Sequence, residues 1–298
     1  ADNNTAVGSA ALGANTTGGS SVAVGKGALD ANTTGTTNIA IGVNALGANT
    51  TASDNIAIGH SALLVSTTGT ALTAIGYEAL DANTTASNNT AVGYQALTDN
   101  TTGAQNVAIG MYGLANNTTA SNNFAGGYNA LGANTTGTNL VGIGHRALQA
   151  NTTASSNTAV GYQAGYAITT GGYHTAVGSG ALTAATTGTS NTAIGNASLP
   201  AVTTGVNNTG LGQSAGYAAT GNYGVFVGAR SGTSQTSGDQ NTYIGEAAGY
   251  SMTTGSRNTL IGRHSGNQAN LDIRTTSNNI VISDGDGNAR YEYISALG

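Results

Sequence analysis

Residues 89–97 read NTAVGYQAL, and the same nine positions return as NTAVGSAAL at 4–12, NIAIGVNAL at 38–46 and NTAIGNASL at 191–199. With the glycine of the A-(V/I)-G step as position 0, that glycine falls at Gly8, Gly25, Gly42, Gly59, Gly76, Gly93 and Gly110. It continues every 17 residues to Gly212, then, after the loss of one residue, at Gly228, Gly245 and Gly262. Sixteen copies of nearly constant length mean that each copy is one coil stacked on the last, because an insertion would break the stack. The consensus, N-T-A-V-G-x-x-A-L-x-A-N-T-T-G-x-x, carries two glycines, many Thr and Asn, and no sustained 3.6-residue stripe, so helix is excluded. Short strands at "TAV" and "AL", with glycine and "NTTG" as corners that accept positive φ, predict an all-β parallel solenoid. At the usual strand spacing of ~4.8 Å, sixteen coils make a rod of roughly 75 Å.

Alternation along the strand sends positions −1 and −2 to opposite faces. Position −1 is large and branched (Val7, Val24, Ile41, Ile58, Ile75, Val92, Ile109), which suits the inside of the coil. Position −2 is then an outward ladder of Ala6, Ala23, Ala40, Ala57, Ala74, Ala91 and Ala108, and the expectation is that copies of the chain approach one another closely there. Leu at +4 reads as core. Where it becomes Gly165, Gly216 or Gly249 the next residue becomes Tyr166, Tyr217 or Tyr250, as though a ring refills the volume. Position +1 is too mixed for a core (Ser9, Lys26, Val43, His60, Tyr77, Tyr94, Met111, Tyr128, His145), and its tyrosines Tyr77, Tyr94, Tyr128 and Tyr162 are candidate surface contacts for a glycan or protein. After the repeat glycine the residue following Thr-Thr alternates Gly and Ala from Gly35 to Gly171, a 34-residue period with no evident purpose in the sequence. The repeat shaft is taken as residues 1–278, and 279–298 as a hairpin closing the stack, with DGDGN (284–288) at its turn.

Chemistry-bearing residues are sparse. With 47 glycines, 6% charged residues, seven Lys+Arg and a net charge of −5, the chain has no basic stripe for nucleic acid. It has no cysteine, and no apolar run long enough to insert in a membrane. The histidines are spread over three phases, with His60 and His145 at +1 but five coils apart, His174 at −4 and His264 at +2, and the carboxylates are scattered, so no catalytic, metal or cofactor site is expected. DGDGN begins like a calcium loop but has Ala289 and Ser295 where that loop needs Gly and Glu. The repeated NTT satisfies the glycosylation sequon, yet stacked Asn and Thr ladders at a corner explain it better.

On NTAVGYQAL and NIAIGVNAL, over about residues 3–265, the chain resembles the A-(V/I)-G repeats of trimeric autotransporter adhesin heads and related phage tail fibres. The closing SNNIVISDGDGNARYEYI looks more like the tail-fibre segments. The resemblance implies a left-handed β-roll, three chains about one axis, and an extracellular place on a cell or virion as a non-enzymatic fibre for host attachment. Two other readings remain open from the residues: a subunit of a self-assembling extracellular filament, and an ice-binding solenoid using Thr ladders.

Overall fold

The computed structural model describes residues 2–268 and 270–294, which excludes the last four residues of the expected terminal hairpin. It is all-β, with no helix among the described residues, and forms a parallel solenoid of about sixteen coils. Two units, Ala1–Thr153 and Ala154–Gly298, carry nine and seven of the three-residue repeat strands. Within each unit, each coil contributes one such strand, paired in parallel with the next at a constant offset: Val22↔Ile39, Ala23↔Ala40, Val24↔Ile41. The residue lost before Gly228 is absorbed outside the strand, since Thr209 simply pairs with Val225.

The expected second strand at "AL" is a turn. Leu29, Leu46, Leu80 and Leu97 adopt φ of 51 to 52°, the left-handed region, so alternation stops there and both Ala96 and Leu97 point inward. Leu at +4 is core as expected. The repeat glycine is obligatory for two reasons. Gly93 has φ 142°, and a Cβ on it would lie 2.6 Å from the Gly110 carbonyl oxygen. The same holds along the row, from Gly8 and Gly25 through Gly42, Gly59, Gly76 and Gly110.

Which strand face is inside is the reverse of the expectation. Ala23, Ala40, Ala57, Ala74, Ala91 and Ala108 are fully buried within their own chain, whereas Val7, Ile41, Ile75 and Ile109 are exposed. The cause is volume. A 17-residue coil is narrow, the +4 leucine reaches across it, and only a methyl fits opposite. The Ala ladder therefore cannot be an interface between chains; only Ala6, in the first described coil, is exposed. Further along the chain the exchange is made openly. Phe226 and Tyr243 replace Ala at −2 and are buried, and glycine replaces Leu at +4, where a Cβ on Gly216 would sit 2.7 Å from Phe226 Cδ2 and one on Gly249 2.6 Å from Tyr243 Cδ2. The tyrosines after those glycines refill nothing: Tyr217 and Tyr250 are exposed and Tyr166 is partly so.

Beyond Gly262 the stack continues after a longer excursion. Strand Ile280–Ser283 pairs in parallel with Thr259–Ile261, Val281 takes the buried place, and Asn279 donates its N–H to Asn258 Oδ1 at 2.9 Å. Ala289–Tyr293 then returns antiparallel beside Ile280–Ser283. The DGDGN turn uses its own acid: Asp284 Oδ1 accepts the N–H groups of Asp286 (3.1 Å) and Asn288 (2.9 Å), and Oδ2 accepts Arg290 Nε–H (2.9 Å).

Candidate functional site

Solenoid corners leave backbone groups without sheet partners, and buried asparagines supply them. At −4, Asn38 Oδ1 accepts the Asn55 N–H (3.0 Å) and its Nδ2 donates to the Ala52 carbonyl (2.8 Å). At +7, Asn117 Nδ2 donates both to Asn100 Oδ1 (2.8 Å) and to the Ala120 carbonyl (3.0 Å), and Asn134 repeats this on Asn117 (3.0 Å). Thr hydroxyls add a third column, such as Thr101 Oγ1 to the Thr118 carbonyl at 3.0 Å. These are the ladders expected at NTT. Asn32, Asn49, Asn83 and Asn100 are fully buried, so their sequons are closed to a transferase in the folded chain. One rung is faulty: Ser66 stands in the +7 column, its side chain is too short, and the buried Asn49 Oδ1 has no partner.

The Gly/Ala alternation has a structural use. Each Ala coil carries Ser at the next position, and its hydroxyl accepts the amide of the preceding Gly coil: Thr36 N–H to Ser53 Oγ, Thr70 N–H to Ser87 Oγ and Ala104 N–H to Ser121 Oγ, each 3.0 Å. Two coils thus form one bonded pair.

With backbone and interior accounted for, two surface features remain. The first is the outward strand face. Positions −3 and −1 lie side by side on it, giving Ile39 and Ile41, Ile56 and Ile58, Val107 and Ile109, and Val141 and Ile143, while Thr73 and Thr90 hold −3 beside Ile75 and Val92. Exposure reaches 57% at Val7, 47% at Ile109 and 45% at Leu211. The −3 column escaped the sequence reading because a large −1 residue was placed indoors; strand alternation alone puts the two on one face.

The second is a column of rings in the first unit. His60 stacks on Tyr77 (centroids 5.3 Å, planes 13° apart), Tyr77 on Tyr94 (5.2 Å, 8°), and Tyr128 on His145 (5.2 Å, 19°). Tyr112 joins the two runs edge-on, at 5.5 Å from Tyr94 and 6.2 Å from Tyr128. Three of the four candidate tyrosines therefore belong to one ladder; Tyr162 is exposed in the second unit. Tyr112 was missed because Met111 holds +1 and the ring sits one residue later, a displacement visible in "GMYG" as a ring beside the gap in the row. Beside the ladder Gln95 Nε2 donates to Glu78 Oε2 at 2.6 Å, which holds the Glu78 carboxyl below its usual range, while hydrogen bonding to Glu78 raises the Tyr77 phenol.

Other titratable groups are structural. His174 replaces Asn in the −4 column: its Nδ1 accepts the Asn191 N–H (3.2 Å), so Nε2 carries the hydrogen and donates to the Gly188 carbonyl (2.8 Å). Burial lowers its pKa, and burial likewise lowers that of His264. Tyr243 donates to Gln235 Oε1 (2.9 Å), and burial drives its phenol far above the ordinary value. Glu246 is clamped between Arg230 and Arg263 on the surface. No cluster of three His, Cys, Asp or Glu side chains suited to a metal occurs among the described residues. No helix there is long and apolar enough to cross a membrane.

Comparison with known proteins gives no matching family model, no matching curated protein and no matching solved structure.

Proposed function

We propose that this chain forms the shaft of an extracellular, non-enzymatic attachment fibre, on a cell or a virion, in which three copies pack together through their outward strand faces. The observation that carries this reading is the outward column of large apolar side chains at −1, joined at −3 by Val22, Ile39, Ile56, Val107, Phe124 and Val141 in the first unit. A lone chain would leave Val7, Ile41, Ile75, Ile109 and their neighbours along −1 exposed to water, and a contiguous exposed apolar row of this kind marks an interaction surface. The interface expected at Ala6 to Ala108 moves to Val7, Val24, Ile41, Ile58, Ile75, Val92 and Ile109 with their −3 neighbours. The count of three rests on the resemblance of NTAVGYQAL to adhesin-head and tail-fibre repeats. Adhesion then comes from many weak contacts repeated along one body.

Two experiments test it. Beads coated with the folded chain should adhere to target cells where albumin-coated beads do not; equal retention of both across a bacterial and animal cell panel contradicts attachment. Ile41→Glu with Ile75→Glu should convert the assembly to single chains while each still folds, because charge on that face opposes burial. An unchanged assembly contradicts the interface.

One observation favours a second reading. In the second unit the −3 column is mostly threonine, with Thr158, Thr175, Thr192 and Thr209 beside Val160, Val177, Ile194 and Leu211 on one strand face. A regular column of threonines on one strand face can order water. The two readings use the same face, so a chain that stays single and shows thermal hysteresis supports ice binding instead.

A further inference from the structure

The ring ladder is not required by the fold. Elsewhere in the same column, apart from Tyr162 in the second unit, coils carry Ser9, Lys26, Val43, Ser179, Asn196 and Gln213 with the strand register unchanged. Rings from six consecutive coils, His60 through His145, therefore answer a demand other than stacking the backbone. Their geometry limits what that demand is. Neighbours separated by 5.2 to 5.3 Å and nearly parallel cover one another's faces, so along each run they offer solvent their edges, with phenol and imidazole groups repeating once per coil. Tyr77 and Tyr94 remain 41% and 42% exposed. Planar polar groups flank the column at Glu78, Gln95, Asn129 and Arg146.

Along each parallel run the rings present one polar edge per coil, 5.2 to 5.3 Å apart, which suits a linear ligand with the same repeat. An extended peptide returns side chains to one face every two residues, about 6.7 Å, and falls out of step. Nucleic acid fails on charge, because Arg146 is the single cation in this stretch and Glu78 and Asp81 oppose it. A β-linked hexose in an extended chain has its bridging oxygens about one rung apart and equatorial hydroxyls along both margins. We infer that the His60–His145 ladder is a binding site for an extended, uncharged β-linked polysaccharide lying parallel to the coil axis, held by hydrogen bonds to ring edges and to the Glu78–Gln95 flank. This deepens the attachment reading by naming the class of surface polymer, and it rests on that reading only for its biological purpose.

The test is calorimetric titration of the full chain with di-, tetra- and hexasaccharides of β-1,4-linked glucose and of β-1,4-linked N-acetylglucosamine. The affinity for at least one series should rise at least tenfold from disaccharide to hexasaccharide. Tyr77→Phe, Tyr94→Phe and Tyr128→Phe combined keep the rings and the stack but remove the hydroxyls, and should weaken hexasaccharide binding at least tenfold with the assembly mass unchanged. No binding in either series overturns the inference, as does binding that ignores length or survives the triple Phe variant. Coated beads separate this from attachment itself. If beads of the Phe variant adhere as well as the parent, attachment stands and the ladder site falls. If hexasaccharide binds but beads never adhere, the site stands and attachment falls.

Discussion

The coils of residues 1–153 and those beyond Ala154 share one backbone and fill it with opposite chemistry. In the first unit the +7 column is a run of buried amides, Asn32, Asn49, Asn83, Asn100, Asn117, Asn134 and Asn151, interrupted by Ser66. In the second the same column reads Ile168, Ala185, Val202, Ala219, Gln235 and Met252, all buried, with Gln235 the one polar side chain, accepting the Tyr243 hydroxyl. Across the coil, Ala opposite Leu in the first unit becomes Phe226 or Tyr243 opposite glycine in the second. The difference teaches that the 17-residue coil is dictated by its corners, the φ-positive glycine and the left-handed Leu turn, and by the strand ladder. The interior can then be amide or hydrocarbon, provided volume is conserved and every corner amide finds a partner.

Breaking each filling should cost energy for a different reason. Phe226→Ala empties a ring-sized volume and should destabilise the second unit by about 3–5 kcal/mol. Adding Gly232→Leu, at a position whose φ of 61° is close to that of the +4 leucines, should restore part of the loss. A double-mutant cycle by urea unfolding measures that coupling, and additive effects would contradict the volume exchange. In the first unit Asn117→Ala strands Asn100 Oδ1 and one Asn134 Nδ2–H, and leaves the Ala120 carbonyl with Asn106 Nδ2 as its remaining side-chain donor, at a cost of about 2–3 kcal/mol. Hydrogen exchange should show the loss centred on coils holding Asn100 to Asn134.

Acid should tell the units apart. His174 and His264 are buried and neutral in the second unit, while His60 and His145 are exposed in the first. Both buried rings have folded pKa values below the ordinary histidine value of about 6.5. Their stabilising contribution is complete above that pH and is lost as pH falls from it through the folded values, with a slope of up to about 1.4 kcal/mol per pH unit for each ring. Exchange protection measured at pH 7.5 and pH 5 should drop in the second unit, and His174→Asn should reduce the drop by restoring the ladder residue. The smallest effect is a gain: Ser66→Asn gives Asn49 Oδ1 its missing donor and should stabilise the first unit by about 1 kcal/mol.

Much of this was legible in the repeat. Phase fixed the coils, the glycine row fixed the corner, and NTT announced the ladders, because each is a local requirement repeated many times. Face assignment was not legible from residue size. A branched Val or Ile looks like core, but it is the +4 leucine, placed inside by a turn that no residue type at that position advertises, that decides which strand face is inside. For the ring ladder, Tyr77, Tyr94 and Tyr128 could be read from their shared phase. Tyr112 and the terminal histidines required the lateral geometry of neighbouring coils.

Whether copies of the chain meet on the outward strand face is decided by the mass of the folded protein in dilute solution, measured by light scattering. Three chains joined on that face, the expected result, have three times the chain mass of 28.9 kDa. A species of 28.9 kDa, stable and folded with its branched face in water, would contradict that contact.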